Sequence, residues 1–177
     1  MEVVMESNLR NTKKIALSGV LGALAVVCLL LAVVLPTSKL AFYVLSSFFI
    51  SVIVIEYNIK AGWLFYAATS LLSFIILPDK LGIVPYLIFF GLYGLVKFYI
   101  EKISKAVPEY MLKYVYFNLS LSIAYYLVRE IFLENITVGI PWWAAVIGLE
   151  IVFAVYDYVY TLFIGYYRMK LKKVLGF

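Results

Sequence analysis

The chain has 177 residues, of which 66% are hydrophobic and 14% charged, and its mean hydropathy is +1.02. A soluble core is filled when about half of the residues are apolar, so this composition excludes a soluble domain and predicts an integral membrane protein. The net charge of +5 then reads as basic residues kept on the cytoplasmic side rather than as a nucleic-acid footprint. The absence of histidine removes the commonest general base and transition-metal ligand.

Crossing a bilayer takes about 20 apolar residues of helix, and the apolar runs predict an all-α bundle of six spans. They cover roughly 14–35, 40–56, 60–77, 83–104, 109–133 and 141–168. The first is too long for an ordinary signal-peptide core and has no small-x-small cleavage site after it, so it is read as a retained span. Small residues mark two of its sides: Ala16, Gly19 and Ala23 on one, Ser18, Gly22 and Ala25 on the other. It holds the single cysteine, Cys28, which has no internal partner for a disulfide. Pro36 ends this span, and the polar stretch from Glu56 to Lys60 separates the second and third. The stretch from Leu77 to Gly82 separates the third and fourth. Pro108 and Pro141 start the fifth and sixth, where a missing N–H costs nothing. The second and third spans are short, and hydropathy alone also allows residues 40–77 to form one re-entrant pair.

Charge decides between these readings. With six spans and a cytoplasmic N-terminus, twelve basic residues fall inside and three, Lys39, Lys80 and Arg129, fall outside. That asymmetry follows the positive-inside rule, and it predicts that both termini are cytoplasmic. The chain reads as a single domain over 1–177, surrounded by lipid.

Polar side chains within hydrocarbon should face protein or water, so their helical spacing predicts inward faces. The fourth span carries Tyr86, Phe90, Tyr93 and Lys97; the fifth Asn118, Ser122, Tyr125 and Arg129; the sixth Trp143, Glu150, Asp157 and Thr161. At ~1.5 Å of rise per residue, Lys97 lies ~20 Å below the start of its span and Asp157 ~24 Å below Pro141. A structural ion pair between them is expected near the cytoplasmic end. Glu150 is shallower, at ~14 Å, and the long side chain of Arg129 could reach toward it. The longest outward loop, Glu134 to Trp143, carries Trp142 and Trp143. Its aromatics read either as an interfacial belt or as a wall above Glu150, with Trp143 on the inward stripe.

No Walker motif occurs, so no ATPase activity is expected of this chain. No cluster has metal-ligand spacing, and the serines and threonines have no base beside them. No enzyme activity, cofactor or metal is therefore expected.

Small residues on the first span, a short six-helix bundle and no motor together resemble the substrate-binding S component of an energy-coupling factor (ECF) transporter. The likeness covers nearly the whole chain in topology and only short stretches in residue pattern. In that family, small residues on the first helix, often alanines four apart, dock on a transmembrane T component coupled to two ATPase subunits. The matching stretch is Ile15 to Ala25, in which Ala16 is followed four residues later by Val20. The resemblance implies a docking face at Ala16, Gly19 and Ala23, with Ser18, Gly22 and Ala25 packed inward, or the reverse. Pro85 to Lys102 also resembles the fourth-span region of uncharacterised members. The family's pocket lies at the outer ends of spans four to six, which implies Tyr86, Tyr125, Arg129, Trp143 and Glu150 as substrate-binding residues. The implied function is capture of a vitamin-like or other small molecule for import through a bacterial cell membrane. The alternative is a non-catalytic scaffold of a cell-envelope complex of the rod-complex kind, which needs slim helix faces but no ligand pocket.

Overall fold

The computed structural model describes residues 2–35, 37–103, 105–132 and 141–171, with side chains from 12 to 127 and from 141 to 169, Trp142 excepted. Six helices follow one another: α1 (Glu2–Val34), α2 (Lys39–Glu56), α3 (Ile59–Ile76), α4 (Gly91–Ile100), α5 (Ala106–Phe132) and α6 (Trp142–Tyr166). Among the described residues there is no strand. A 3₁₀ turn (Leu81–Ile83) and a π-helical segment (Tyr86–Phe90) lead into α4, and a second π-segment (Tyr167–Leu171) follows α6. The fourth helix stops at Ile100 rather than 104, and α6 begins at Trp142. Pro141 is therefore the residue before α6 rather than its first residue; its carbonyl accepts from the N–H groups of Ala144 and Ala145.

Among the described residues, five stretches are long and apolar enough to cross a membrane: Thr12–Val34, Lys39–Glu56, Ile59–Ile76, Leu81–Ile100 and Trp143–Met169. Helices α2 and α3 are two separate 18-residue helices, each long and apolar enough to cross a membrane and each ~27 Å long by helical rise. Helix α5 has 27 residues, but Lys113, Asn118, Ser120, Ser122 and its tyrosines leave it less apolar than the others. The outer surface fits a lipid solvent. Ile15, Leu64 and Ile75 are each about three-quarters exposed, a pattern that water would penalise.

Short connections make sequence neighbours antiparallel. One end of the bundle holds the end of α1, the 77–80 turn and the start of α6; the other holds the 57–58 turn, the end of α4 and the start of α5. We refer to these as the Pro85 end and the Glu101 end. At the 57–58 turn, Asn58 caps α3, its side chain accepting from the Ala61 N–H at 2.8 Å, the standard remedy for an orphan donor.

Helix α2 is the hub, packed against α1, α3, α4 and α6. Its serines make this possible, because small side chains let backbones approach closely. Ser46 and Ser47 turn their hydroxyls back onto the carbonyls of Tyr43 and Val44. That leaves Ser47 free to accept from α6: its Oγ from the Tyr156 hydroxyl and its carbonyl from the Tyr160 hydroxyl, both at 3.0 Å. Helix α1, by contrast, is peripheral and packs on α2 and α3. The side with Gly22 and Ala25 is buried, and a Cβ on Gly22 would lie 3.6 Å from the Phe65 ring. The side with Ala16, Gly19 and Ala23 is exposed, and a Cβ on Gly19 would meet nothing within 4 Å. The two slim sides thus differ: one seats α1 on the bundle and the other is left open among the described residues.

Candidate functional site

The π-segment organises the Pro85 end. Widening a helix by one residue breaks the regular pairing of its carbonyls, and such groups must be satisfied when water is excluded. Side chains from two other helices do this. The Tyr66 hydroxyl of α3 donates to the Leu87 carbonyl at 2.8 Å, and the Tyr116 hydroxyl of α5 donates to those of Ile88 at 3.0 Å and Phe89 at 3.3 Å. Gly91 closes the segment where no larger residue fits: a Cβ there would lie 2.8 Å from both the Tyr66 ring and the Tyr86 carbonyl oxygen.

The extra residue also fans out the polar stripe predicted on this span. Tyr86 turns to α3 and shares a 2.8 Å hydrogen bond with Thr69. Phe90 stacks on Tyr43 of α2, ring centroids 5.4 Å apart. Tyr93 and Lys97 turn to α6 and meet Asp157. One stripe in sequence therefore serves three neighbours.

A cavity of about 340 Å³ lies beside the π-segment, within the range of about 300–1,000 Å³ for ligand sites. Four helical segments wall it: the start of α2 at Leu40 and Val44, the π-segment at Ile88 to Phe90, α5 at Phe117 to Ala124, and α6 at Leu149 to Tyr156. Helices α5 and α6 approach one another little through their backbones. Side chains bridge them instead, notably the Phe117 and Phe153 rings, stacked at 4.4 Å and nearly parallel. Phe89 lies against both of these rings and against Tyr156, so the cavity has flat aromatic walls.

The Glu101 end is polar. Lys97, whose side chain is 1% exposed, donates to Asp157, to Glu101 at 2.9 Å and to Thr161 at 2.8 Å. Lys113 lies against the same acid, reaching Asp157 at 3.3 Å, Glu109 at 2.7 Å and Glu101 at 3.5 Å. The Tyr93 hydroxyl donates to Asp157 as well. A second cavity, about 420 Å³, opens beside this network between α5 and α6. Two ammonium groups thus share three carboxylates, and Asp157 joins α4, α5 and α6.

Among the described residues, the sequence-derived site residues do not line one cavity. Tyr86 is fully buried against Thr69, whereas Tyr125 and Trp143 are 61% and 57% exposed; none of the three lines the cavity. Glu150 bridges to α5, accepting from Asn118 at 2.7 Å, and its other oxygen is buried with no hydrogen-bond partner among the described residues. The side chains of Arg129 and Trp142, and residues 133–140 of the outward loop, lie outside the described residues. On α5, Asn118, Ser122 and Tyr125 are exposed, so that stripe does not face the bundle interior. The Ser122 hydroxyl turns onto the Asn118 carbonyl and the Asn118 amide onto the Tyr114 carbonyl, while the same amide keeps one contact with the sixth-span stripe through Glu150.

Residues that sequence reasoning passes over include Lys113, Ser120 and the α5 phenylalanine at 117. In the sequence, Lys113 counts only as one more cytoplasmic charge. Reckoning depth from the Glu101 end places it near the level of Lys97, since helical rise runs at ~1.5 Å per residue in both helices. No protein-family model matches this chain, and neither a curated protein nor a solved structure matches it.

Proposed function

We propose that this chain is the membrane-embedded substrate-capture subunit of an importer of the ECF kind, binding a vitamin-like or other small molecule. In this reading it crosses a bacterial cell membrane six times with both termini cytoplasmic, so that the Pro85 end faces outward. The observation that carries the reading is the ligand-sized aromatic cavity at the end that the charge bias assigns to the outside. Its walls, rather than the five residues expected from sequence, form the ligand surface.

Import needs energy, and no nucleotide motif occurs in the sequence. The motor is then a partner: a transmembrane T component carrying two ATPase subunits. The exposed small-residue side of α1 suits such a partner, because a second helix can approach its backbone without first displacing bulky side chains. The Asp157 network ties α4, α5 and α6 together on the Glu101 side of the cavity.

Affinity purification of the full chain from its native membrane tests the partner claim. The expected result is one further multi-span protein together with two ATPases bearing Walker motifs. Recovery of cell-wall synthesis proteins and no ATPase would replace the importer by an envelope scaffold.

A further inference from the structure

We infer that the cavity beside the π-segment takes an uncharged, largely apolar compound of two or three rings and rejects carboxylate and ammonium compounds of the same shape. This rests on the substrate-capture reading and narrows it to a chemical class.

Size comes first. An apolar cavity of about 150 Å³ holds benzene, and this one, at about 340 Å³, has room for roughly twice as much. Shape comes next. Phe89, Phe117 and Phe153 present ring faces and edges, which favour offset or edge-on packing against another ring system. A flexible acyl chain gains little from flat walls.

Polarity decides the class. Among the described residues, none that lines the cavity is charged. Its two hydroxyls are already committed: Ser120 donates to the Tyr116 carbonyl at 2.8 Å, and Tyr156 donates to Ser47 Oγ at 3.0 Å. The backbone carbonyls that the π-turn frees are occupied by Tyr66 and Tyr116. The ammonium groups of Lys97 and Lys113 are held in the network at the Glu101 end. An entering charge would therefore lose its hydration and find no counter-ion among the described residues that line the cavity. Each unmatched polar group costs about one to two orders of magnitude in affinity, and a full charge costs more. The π-turn carbonyls retain a second lone pair each, so one ligand hydroxyl is tolerated.

The test uses the full chain in lipid nanodiscs and equilibrium dialysis at neutral pH, with the signal of empty nanodiscs subtracted. The probes are 2-naphthol, 2-naphthoate and 2-naphthylmethylammonium, which share a ring and differ in charge. The expected result is saturable 1:1 binding of 2-naphthol, at least ten-fold tighter than either ion. Ala124→Phe, which puts a ring into the space, should abolish it. Leu121→Lys, which supplies a cation to the wall, should reverse the preference toward 2-naphthoate, and retained binding of that anion shows that the variant is folded.

If either ion binds wild type as tightly as 2-naphthol and Ala124→Phe still abolishes binding, the uncharged class is wrong and capture at the cavity stands. If no probe binds wild type above the Ala124→Phe level, the cavity is no ligand site, or is filled by lipid, and the capture reading fails with it. Binding of 2-naphthol unchanged in both variants would place it elsewhere and overturn the inference.

Discussion

Asp157→Leu is expected to cost about 3–5 kcal/mol of stability, the range for removing one partner of a buried ion pair. In a chain of this size that corresponds to roughly 6–20 °C in melting temperature. The reason lies in what remains. Lys97 and Lys113 are buried, with side chains 1% and 4% exposed, and both lean on Asp157. Without it, two ammonium groups crowd together with only Glu101 and Glu109 at the rim, and the Tyr93 hydroxyl loses its acceptor. A leucine fills the volume, so the loss reports the buried acceptor that Lys97, Lys113 and Tyr93 share rather than a cavity.

Two companions locate the effect. Adding Lys97→Met to Asp157→Leu should recover part of the loss, because replacing a buried pair by apolar residues is often neutral or stabilising. Glu109→Gln should cost less than about 1 kcal/mol, since that acid is nearer the surface and paired at i,i+4. Thermal unfolding in a mild detergent measures all three. If Asp157→Leu melts within about 2 °C of wild type, the network is not what holds α4, α5 and α6 together.

The second large effect separates the two sides of α1. Gly19→Leu with Ala23→Leu is expected to abolish recovery of the ATPases while leaving melting unchanged or slightly raised. A Cβ at position 19 enters open space, and leucine is a better helix former than glycine by up to about 1 kcal/mol. Gly22→Leu should do the opposite. A Cβ there already lies 3.6 Å from Phe65 and 3.9 Å from Thr69, so a longer side chain forces α1 off α3, at about 1–3 kcal/mol. Full complex recovery by the Gly19→Leu/Ala23→Leu protein would remove α1 from the docking surface.

The helices are readable from the sequence because long apolar runs and their punctuation at Asn58, Pro78 and Pro141 leave few alternatives. The approach of Lys97 to Asp157 is readable because helical rise fixes depth. The site is harder to read. Spacing identifies a face but not its neighbour, so the polar α5 stripe of Asn118, Ser122 and Tyr125 points inward on paper and outward in the fold. For Asn118 and Ser122, hydrogen bonds to the helix's own backbone reduce the penalty that the inference relied on, and Asn118 alone of the three keeps a contact with α6 among the described residues, through Glu150. A π-turn has no compositional signature distinct from an α-turn. The fanning of Tyr86, Phe90 and Tyr93 toward three helices is therefore hidden in the sequence, and with it the cavity that the turn borders. The tyrosines carry the one hint. Tyr66 and Tyr116 each need an acceptor in hydrocarbon, and a widened helix supplies spare carbonyls.

The central claim is that the aromatic cavity captures a small molecule. Native mass spectrometry of wild type and Ala124→Phe, each produced in its own membrane and released in mild detergent, addresses it most directly. Wild type should carry one small-molecule adduct of fixed mass at 1:1 stoichiometry, and Ala124→Phe should lack it. A wild-type spectrum of bare polypeptide and ordinary phospholipid, identical to that of the filled variant, would contradict the account.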